Sequence, residues 1–515
     1  MRVTYTTAVL LAALAVPAGT RSGYPAASHE HAQAPEKKAG LLKLRLRDAR
    51  GDPLPARVHL YDSAGKPVRP EGLPFWRDHF ACPGQADLPL VPGDYRYEIE
   101  RGPEYEPVSG RLSVGESTPL EARLSRISDL AAKGWYSGDL HIHRPPADAR
   151  LVMRAEDLHV GGVITWWNKQ NLWATTKPPN PAVVRFDGRW CDLMGGEDER
   201  GGGAMLYFRR RAPLGITTAT REYPSSLRYL REAKKDTGTW ADVEKPFWWD
   251  VPAWLATGQV DSIGVAHNHM HRGGVMDNEA WGRPRDRERY AGVAGNGWWT
   301  QEVYYHMLNA GLRVPPSAGS ASGVLPNPVG YNRVWVHTGK PLDPTSWWEG
   351  LRAGRAFVSN GPLLVARAAG ELPGHVFREA GEVEIDVEAV GVDPIRVIEV
   401  VQDGMVVLAR RVGKAAWKGK LGVRLERSGW LLVRAVADVK HTFRFASTAP
   451  WFVEVGGGPR AVSRRSVEFF HGWARERRDA LAMLVKGAGP RKEVLDDHDA
   501  AVKFWWDRLA MANRQ

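Results

Sequence analysis

Tyr136-Ser-Gly-Asp-Leu-His-Ile-His143 is the stretch on which the reading of the fold turns. Asp139, His141 and His143 fall at alternate positions in a run that reads as a strand. In an extended chain, side chains two apart leave the same face, so both imidazoles address one point. Neutral imidazole is the commonest protein ligand for zinc-like ions, and a neighbouring carboxylate such as Asp139 supports it by holding its tautomer. Placed at a strand end, after Gly-Asp and ahead of a helical stretch, the His-x-His pattern predicts a divalent-metal site.

Working outward, strand-like runs at 135–143, 162–167, 204–209, 261–267, 313–317 and 333–337 alternate with helix-like pieces at 149–160, 225–235, 250–257, 300–310 and 346–353. Over residues 134–362 this alternation predicts an α/β domain built on a mostly parallel sheet or barrel, with reacting groups after the carboxyl ends of the strands. Residues 40–126 read differently. Leu42-Leu-Lys-Leu-Arg-Leu-Arg alternates apolar with basic, and Pro92-Gly-Asp is one of several turn signals, which predicts a β-sandwich. The segment Leu90-Val-Pro-Gly-Asp-Tyr-Arg-Tyr-Glu-Ile resembles a strand of carboxypeptidase-regulatory-like modules. A second β-sandwich is expected over 366–455 and a helical hairpin over 463–515, around Gly487-Ala-Gly-Pro490.

Composition bounds the function. With 515 residues, 43% of them hydrophobic, the chain is expected to hold two to four domains. An apolar run at 8–16 followed by Val16-Pro17-Ala18 reads as a signal peptide over 1–18, with a disordered lead-in over 19–39, and predicts a secreted or periplasmic protein. No later stretch reads as a membrane span. Two cysteines exclude a disulfide scaffold. The net charge of +11 is spread along the chain, so no nucleic-acid partner is expected, and the oligomeric state stays open.

Two further clusters carry chemistry. Met194-Gly-Gly-Glu-Asp-Glu-Arg-Gly-Gly-Gly203 reads as a glycine-rich loop presenting Glu197 to an ion. Ala266-His-Asn-His-Met-His271 follows a strand-like run; His267 is nearest the strand end and His269 is the next candidate. Arg144, beside the histidine pair, suits an anionic substrate.

The order of Gly138-Asp-Leu-His-Ile-His143, Gly196-Glu197, Val265-Ala-His267 and Gly319-Ser320, ending in Trp348-Glu-Gly-Leu-Arg-Ala-Gly-Arg-Ala-Phe-Val-Ser-Asn-Gly-Pro362, resembles the CehA/McbA-type metallohydrolases of the polymerase-and-histidinol-phosphatase (PHP) superfamily. The resemblance implies a distorted β/α, TIM-like barrel, here flanked by the two sandwich modules, with divalent ions activating water at its carboxyl end. The chain departs from the family pattern. Trp166-Trp167-Asn168 stands where an acid-His-Asn is expected, Gly202-Gly203-Ala204 where a Gly-His pair is expected, and Ser320-Ala-Ser-Gly323 where Ser-Asp-x-His is expected. Carried over are His141, His143, Glu197 and His267 as ligands, with Asp139 in support; Asn168 and Ser320 are expected to support the site as well, and Asp198 or His269 is expected to take a proton. That set suits one zinc or manganese ion, with a second left open. The expectation is a secreted metal-dependent hydrolase of phosphoester, carbamate or related ester and amide bonds in a small molecule or glycan. The rival is a degenerate barrel that binds a glycan or cell-surface polymer through a Trp-rich mouth.

Overall fold

In the computed structural model, residues 40–514 except 340 and 459 are described, so the signal-peptide and lead-in readings lie outside the described residues. Alternation shapes the first module. In Gly40–Arg47 the side chains of Leu42, Leu44 and Leu46 point into a core while Lys43 and Arg45 face outward. This strand pairs antiparallel with Gln85–Leu90 and parallel with Thr118–Arg123. A 5-stranded sheet contributes Val58, Leu60, Phe80 and Ile99 to the same core. The module is fastened to the following chain by buried ion pairs. Arg57 meets Glu156, and Arg101 Nη2 lies 2.9 Å from Asp157 Oδ1. Both pairs belong to larger networks, Arg57 also meeting Glu100 and Asp157 also meeting Arg126 and Arg189.

The rest of the chain corrects the expected barrel. Strand makes up 40% of the structure and helix 21%, and the main sheet is a curled half-barrel of 13 strands rather than a TIM-like ring of alternating strands and helices. From one edge it runs Pro316–Ala318, Ser262–Ala266, Trp240–Val243, Gly203–Phe208, Arg189–Arg200, Val160–Trp167 and Trp135–Ile142. It continues through Arg333–His337, Ala356–Ser359, Phe445–Thr448, Gly429–Ala437, Gly381–Gln402 and Met405–Leu425.

Two local features defeat the β/α repeat. Arg189–Arg200 and Gly203–Phe208 form a hairpin across the two-residue turn Gly201-Gly202, which puts an antiparallel pair inside what was expected to be a mostly parallel sheet. Further on, Phe445–Thr448 pairs with Ala356–Ser359, so the strands assigned to a second sandwich extend the same sheet. What read as a glycine-rich loop at 194–203 is mostly strand. Glycine normally weakens a strand, but a Cβ on Gly196 would fall 1.8 Å from the Trp166 ring, so its absence seats that indole.

The last two helices, Arg464–Leu484 and Ala488–Leu509, pack back on the body. Trp505 Nε1 donates to Pro252 O at 2.9 Å, and Arg477 Nε lies 2.8 Å from Asp250 Oδ1. Among the described residues no helix is long and apolar enough to cross a membrane. Cys82 and Cys191 are buried, unpaired thiols.

Candidate metal centre

The strand Trp135–Ile142 lies inside the curled sheet, parallel to Val160–Trp167 and antiparallel to Arg333–His337. His141 is buried near its end and His143 follows just beyond, where its backbone N–H donates to Ser322 O at 2.7 Å. The two rings lean together, with Nε2 atoms 2.9 Å apart. Glu197 Oε2 closes the group at 3.4 Å from His141 Nε2 and 3.2 Å from His143 Nε2. One ligand atom from each residue falls within 4.8 Å of the other two. The close approach needs Gly319, because a Cβ there would sit 2.5 Å from His141 Cβ.

Asp139 supports this geometry in an unforeseen way. Its carboxylate does not hold an imidazole. Oδ1 accepts the backbone N–H groups of His141 at 2.9 Å and Ser320 at 3.0 Å, and Oδ2 accepts that of Gly330 at 2.7 Å. The carboxylate that faces the imidazole is instead Glu244, absent from the sequence reading, whose Oε1 lies 3.5 Å from His141 Nδ1. Glu244 follows the strand Trp240–Val243, in phase with Asp242. Its other oxygen is engaged by Lys245 Nζ and, at 3.0 Å, by Trp248 Nε1.

Three buried atoms here have no hydrogen-bond partner: Glu197 Oε2, His141 Nδ1 and Glu244 Oε1. Buried polar atoms without partners are costly and uncommon. A divalent ion fits that deficit, since it would take Glu197 Oε2 together with the two Nε2 lone pairs and set His141 Nδ1–H toward Glu244. Electrostatics agrees with a cation-seeking site. Burial raises the Glu197 pKa, but His141 and His143 outweigh it and bring the carboxyl down to about 2. Burial lowers that of His141, but Glu197 and Glu244 lift it to about 10. The acids thus demand positive charge at His141, as a proton or as a metal.

The other expected residues are placed as follows. His267 Nε2 lies 2.7 Å from Thr300 Oγ1, and its Nδ1 accepts the His269 N–H at 3.3 Å, so both ring nitrogens are engaged away from the group. Burial, followed by Lys245, lowers its pKa to about 3. His269 Nδ1 sits 3.0 Å from Asn278 O. Asp198 points from the opposite face of its strand and is clamped by Arg200, with Nη2 at 2.8 Å. Ser320 Oγ exchanges hydrogen bonds with the backbone of Asn332 and is fully buried. Asn168 occupies the left-handed region (φ 50°), which asparagine tolerates, and its Oδ1 accepts Glu199 N at 2.9 Å. Arg144 donates to Phe75 O and Asp148, each at 3.1 Å.

Glu199 is the second residue that the sequence reading missed. It is in phase with Glu197 on the strand, so it shares the metal-facing side, and Trp167 Nε1 donates to its Oε2 at 3.0 Å. Burial, then the negative charge of Glu197, pushes its carboxyl up to about 7. Of the three grouped residues, His143 lines an open cleft, whose other walls include Arg144, Leu151 and, from the N-terminal module, Arg69, Phe75 and Trp76. Compared with known proteins, the chain matches no family model and no curated sequence.

Proposed function

We propose that the protein is a metal-dependent hydrolase working on one divalent ion held by His141, His143 and Glu197. The observation that carries this reading is the convergence of two imidazoles and a carboxylate around buried atoms that lack partners. Three protein ligands with an open position is the arrangement of catalytic rather than structural zinc sites. The ion supplies Lewis acidity toward water and the scissile bond. Glu244, held ionised by Lys245, accepts the His141 Nδ1 proton and fixes the ring. Glu199, with a carboxyl poised near neutrality, takes the proton from the attacking water, the task given to Asp198 or His269 by sequence alone.

The cleft wall sets Arg69 and Arg144 against Glu71 and Asp148, with Arg144 paired to Asp148, so phosphoesters, carbamates and amides stand alike as substrates. The glycan-binding alternative loses its main support, because the paired tryptophans mostly enter the core: Trp166, Trp248 and Trp347 are fully buried. The test measures metal content of the purified, untagged chain and hydrolysis of chromogenic phosphoesters, esters and carbamates. At least one ion per chain together with turnover supports the proposal. A folded chain that stays empty and inert when zinc and manganese are offered overturns it.

A further inference from the structure

A second grouping of ligand types lies in the N-terminal module, away from the proposed centre. His59 on Ala56–Asp62, Asp78 in the turn after Phe75–Trp76, and His79 opening His79–Cys82 each offer a ligand atom within 4.8 Å of the others. His59 and His79 are 1% and 6% exposed, whereas the Asp78 side chain is 38% exposed and opens the group to solvent. His79 Nδ1 lies 2.8 Å from Asp78 Oδ1. His59 Nδ1 lies 3.3 Å from Asp78 Oδ2 but makes no hydrogen bond, a buried nitrogen aimed at a carboxylate without a partner.

We infer that His59, Asp78 and His79 bind a second divalent ion of the zinc, cobalt or nickel class, which favours imidazole with a carboxylate. The ring of His59 turns Nδ1 toward Asp78 and has two candidate partners at Nε2. Nε2 lies 3.3 Å from Glu100 Oε2, which accepts its proton in the tautomer that leaves the Nδ1 lone pair toward Asp78. Arg57 Nε, 3.1 Å from the same Nε2, favours the other tautomer, so binding has to displace that contact. Asp78 also accepts Tyr61 Oη–H at 3.1 Å and keeps Oδ1 toward His79.

The position gives the ion a task. Trp76 pairs with His79 and Phe75 with Phe80 in a short hairpin, and Arg77 between them is left-handed at φ 54°. Phe75 and Trp76 wall the cleft that reaches His143, and Trp76 Nε1 donates to Leu325 O at 2.8 Å. An ion bridging Asp78 and His79 to His59 ties the base of this hairpin to the neighbouring strand and so holds the cleft wall in place. The site itself does not depend on the proposed hydrolase activity.

The experiment is a cobalt titration of the full chain, read by the visible d–d absorption and by plasma mass spectrometry after gel filtration. It uses the wild type, His141→Ala, Asp78→Asn, and His141→Ala combined with His79→Ala. The inference expects His141→Ala to retain about one equivalent with a nitrogen-rich spectrum, and His79→Ala to abolish it in that background. Asp78→Asn keeps the shape and the hydrogen bonds of the turn but removes the anionic ligand, and should weaken the retained ion more than tenfold. Retained cobalt that is indifferent to both Asp78→Asn and His79→Ala, or no cobalt in folded His141→Ala, overturns the inference. The first proposal fails separately, if His141→Ala and wild type bind the same amount.

Discussion

His141-Ile-His143 and His267-Asn-His269 carry the same pattern at the ends of two strands of one sheet, and they end differently. The first pair closes on itself, Nε2 to Nε2, with Glu197 in reach and Glu244 behind. The second enters a turn, its backbone N–H bonds back to a ring, and His267 Nε2 and His269 Nδ1 go to Thr300 and a carbonyl. Alternation brings side chains together only while the chain stays extended, and proximity makes a metal site only where acids oppose the imidazoles. Lys245 sharpens the contrast. Its charge is neutralised by Glu244 on the side of His141, yet it adds to burial in keeping His267 and His269 unprotonated.

The comparison breaks most visibly at Glu197. Replacing it with alanine should remove about one ion per chain, leaving the one at His59, Asp78 and His79, and abolish turnover, read by plasma mass spectrometry and a chromogenic assay. Glu244→Gln keeps the fold but loses the anion behind His141, and should weaken ion binding about 10- to 100-fold in a competition against a chelating indicator. The pH–rate profile should rise through about 7, because Glu199 has to be deprotonated to act as base, and Glu199→Gln should remove that inflection.

In the metal-free protein the two ligands set opposite limits. His141, raised from 6.5 to about 10, contributes stability that is complete below pH 6.5 and lost as pH climbs toward 10. Glu197, lowered from 4.5 to about 2, contributes stability present above pH 4.5 and lost as pH falls toward 2. Urea midpoints of the metal-free chain should therefore be highest between these windows, and Glu197→Gln should flatten the acid side. The smallest effect on the ion belongs to the second pair. His267→Asn should leave metal content unchanged while costing about 1–2 kcal/mol of stability for the lost Thr300 contact, measured by chemical denaturation.

Much of the centre was legible because its logic is local. Period-two spacing put His141 with His143, and the same rule, applied to Glu197-Asp198-Glu199, would have chosen Glu199 over Asp198 had 189–200 been read as a strand. The glycines at 195 and 196 argued for a loop, and nothing in the sequence shows that they make room for Trp166 and its neighbours. Glu244 was missed because the four-residue strand Trp240–Val243 is too short to announce itself. The barrel expectation failed for a non-local reason. Whether strands pair parallel or antiparallel, and whether 445–448 joins 356–359, is decided across gaps of nearly a hundred residues.

Asp139 has a bearing on how the chain reaches its final state. One carboxylate gathers backbone groups 181 and 191 residues apart in sequence. Such loops close late, since chain entropy must be overcome before distant contacts repay it. A ribosome-bound chain that has emerged only as far as residue 300 already carries both histidines and both glutamates, yet lacks the segment that holds the histidine strand in register. Ion capture should therefore coincide with the last step of folding, with refolding and metal uptake sharing one slow rate.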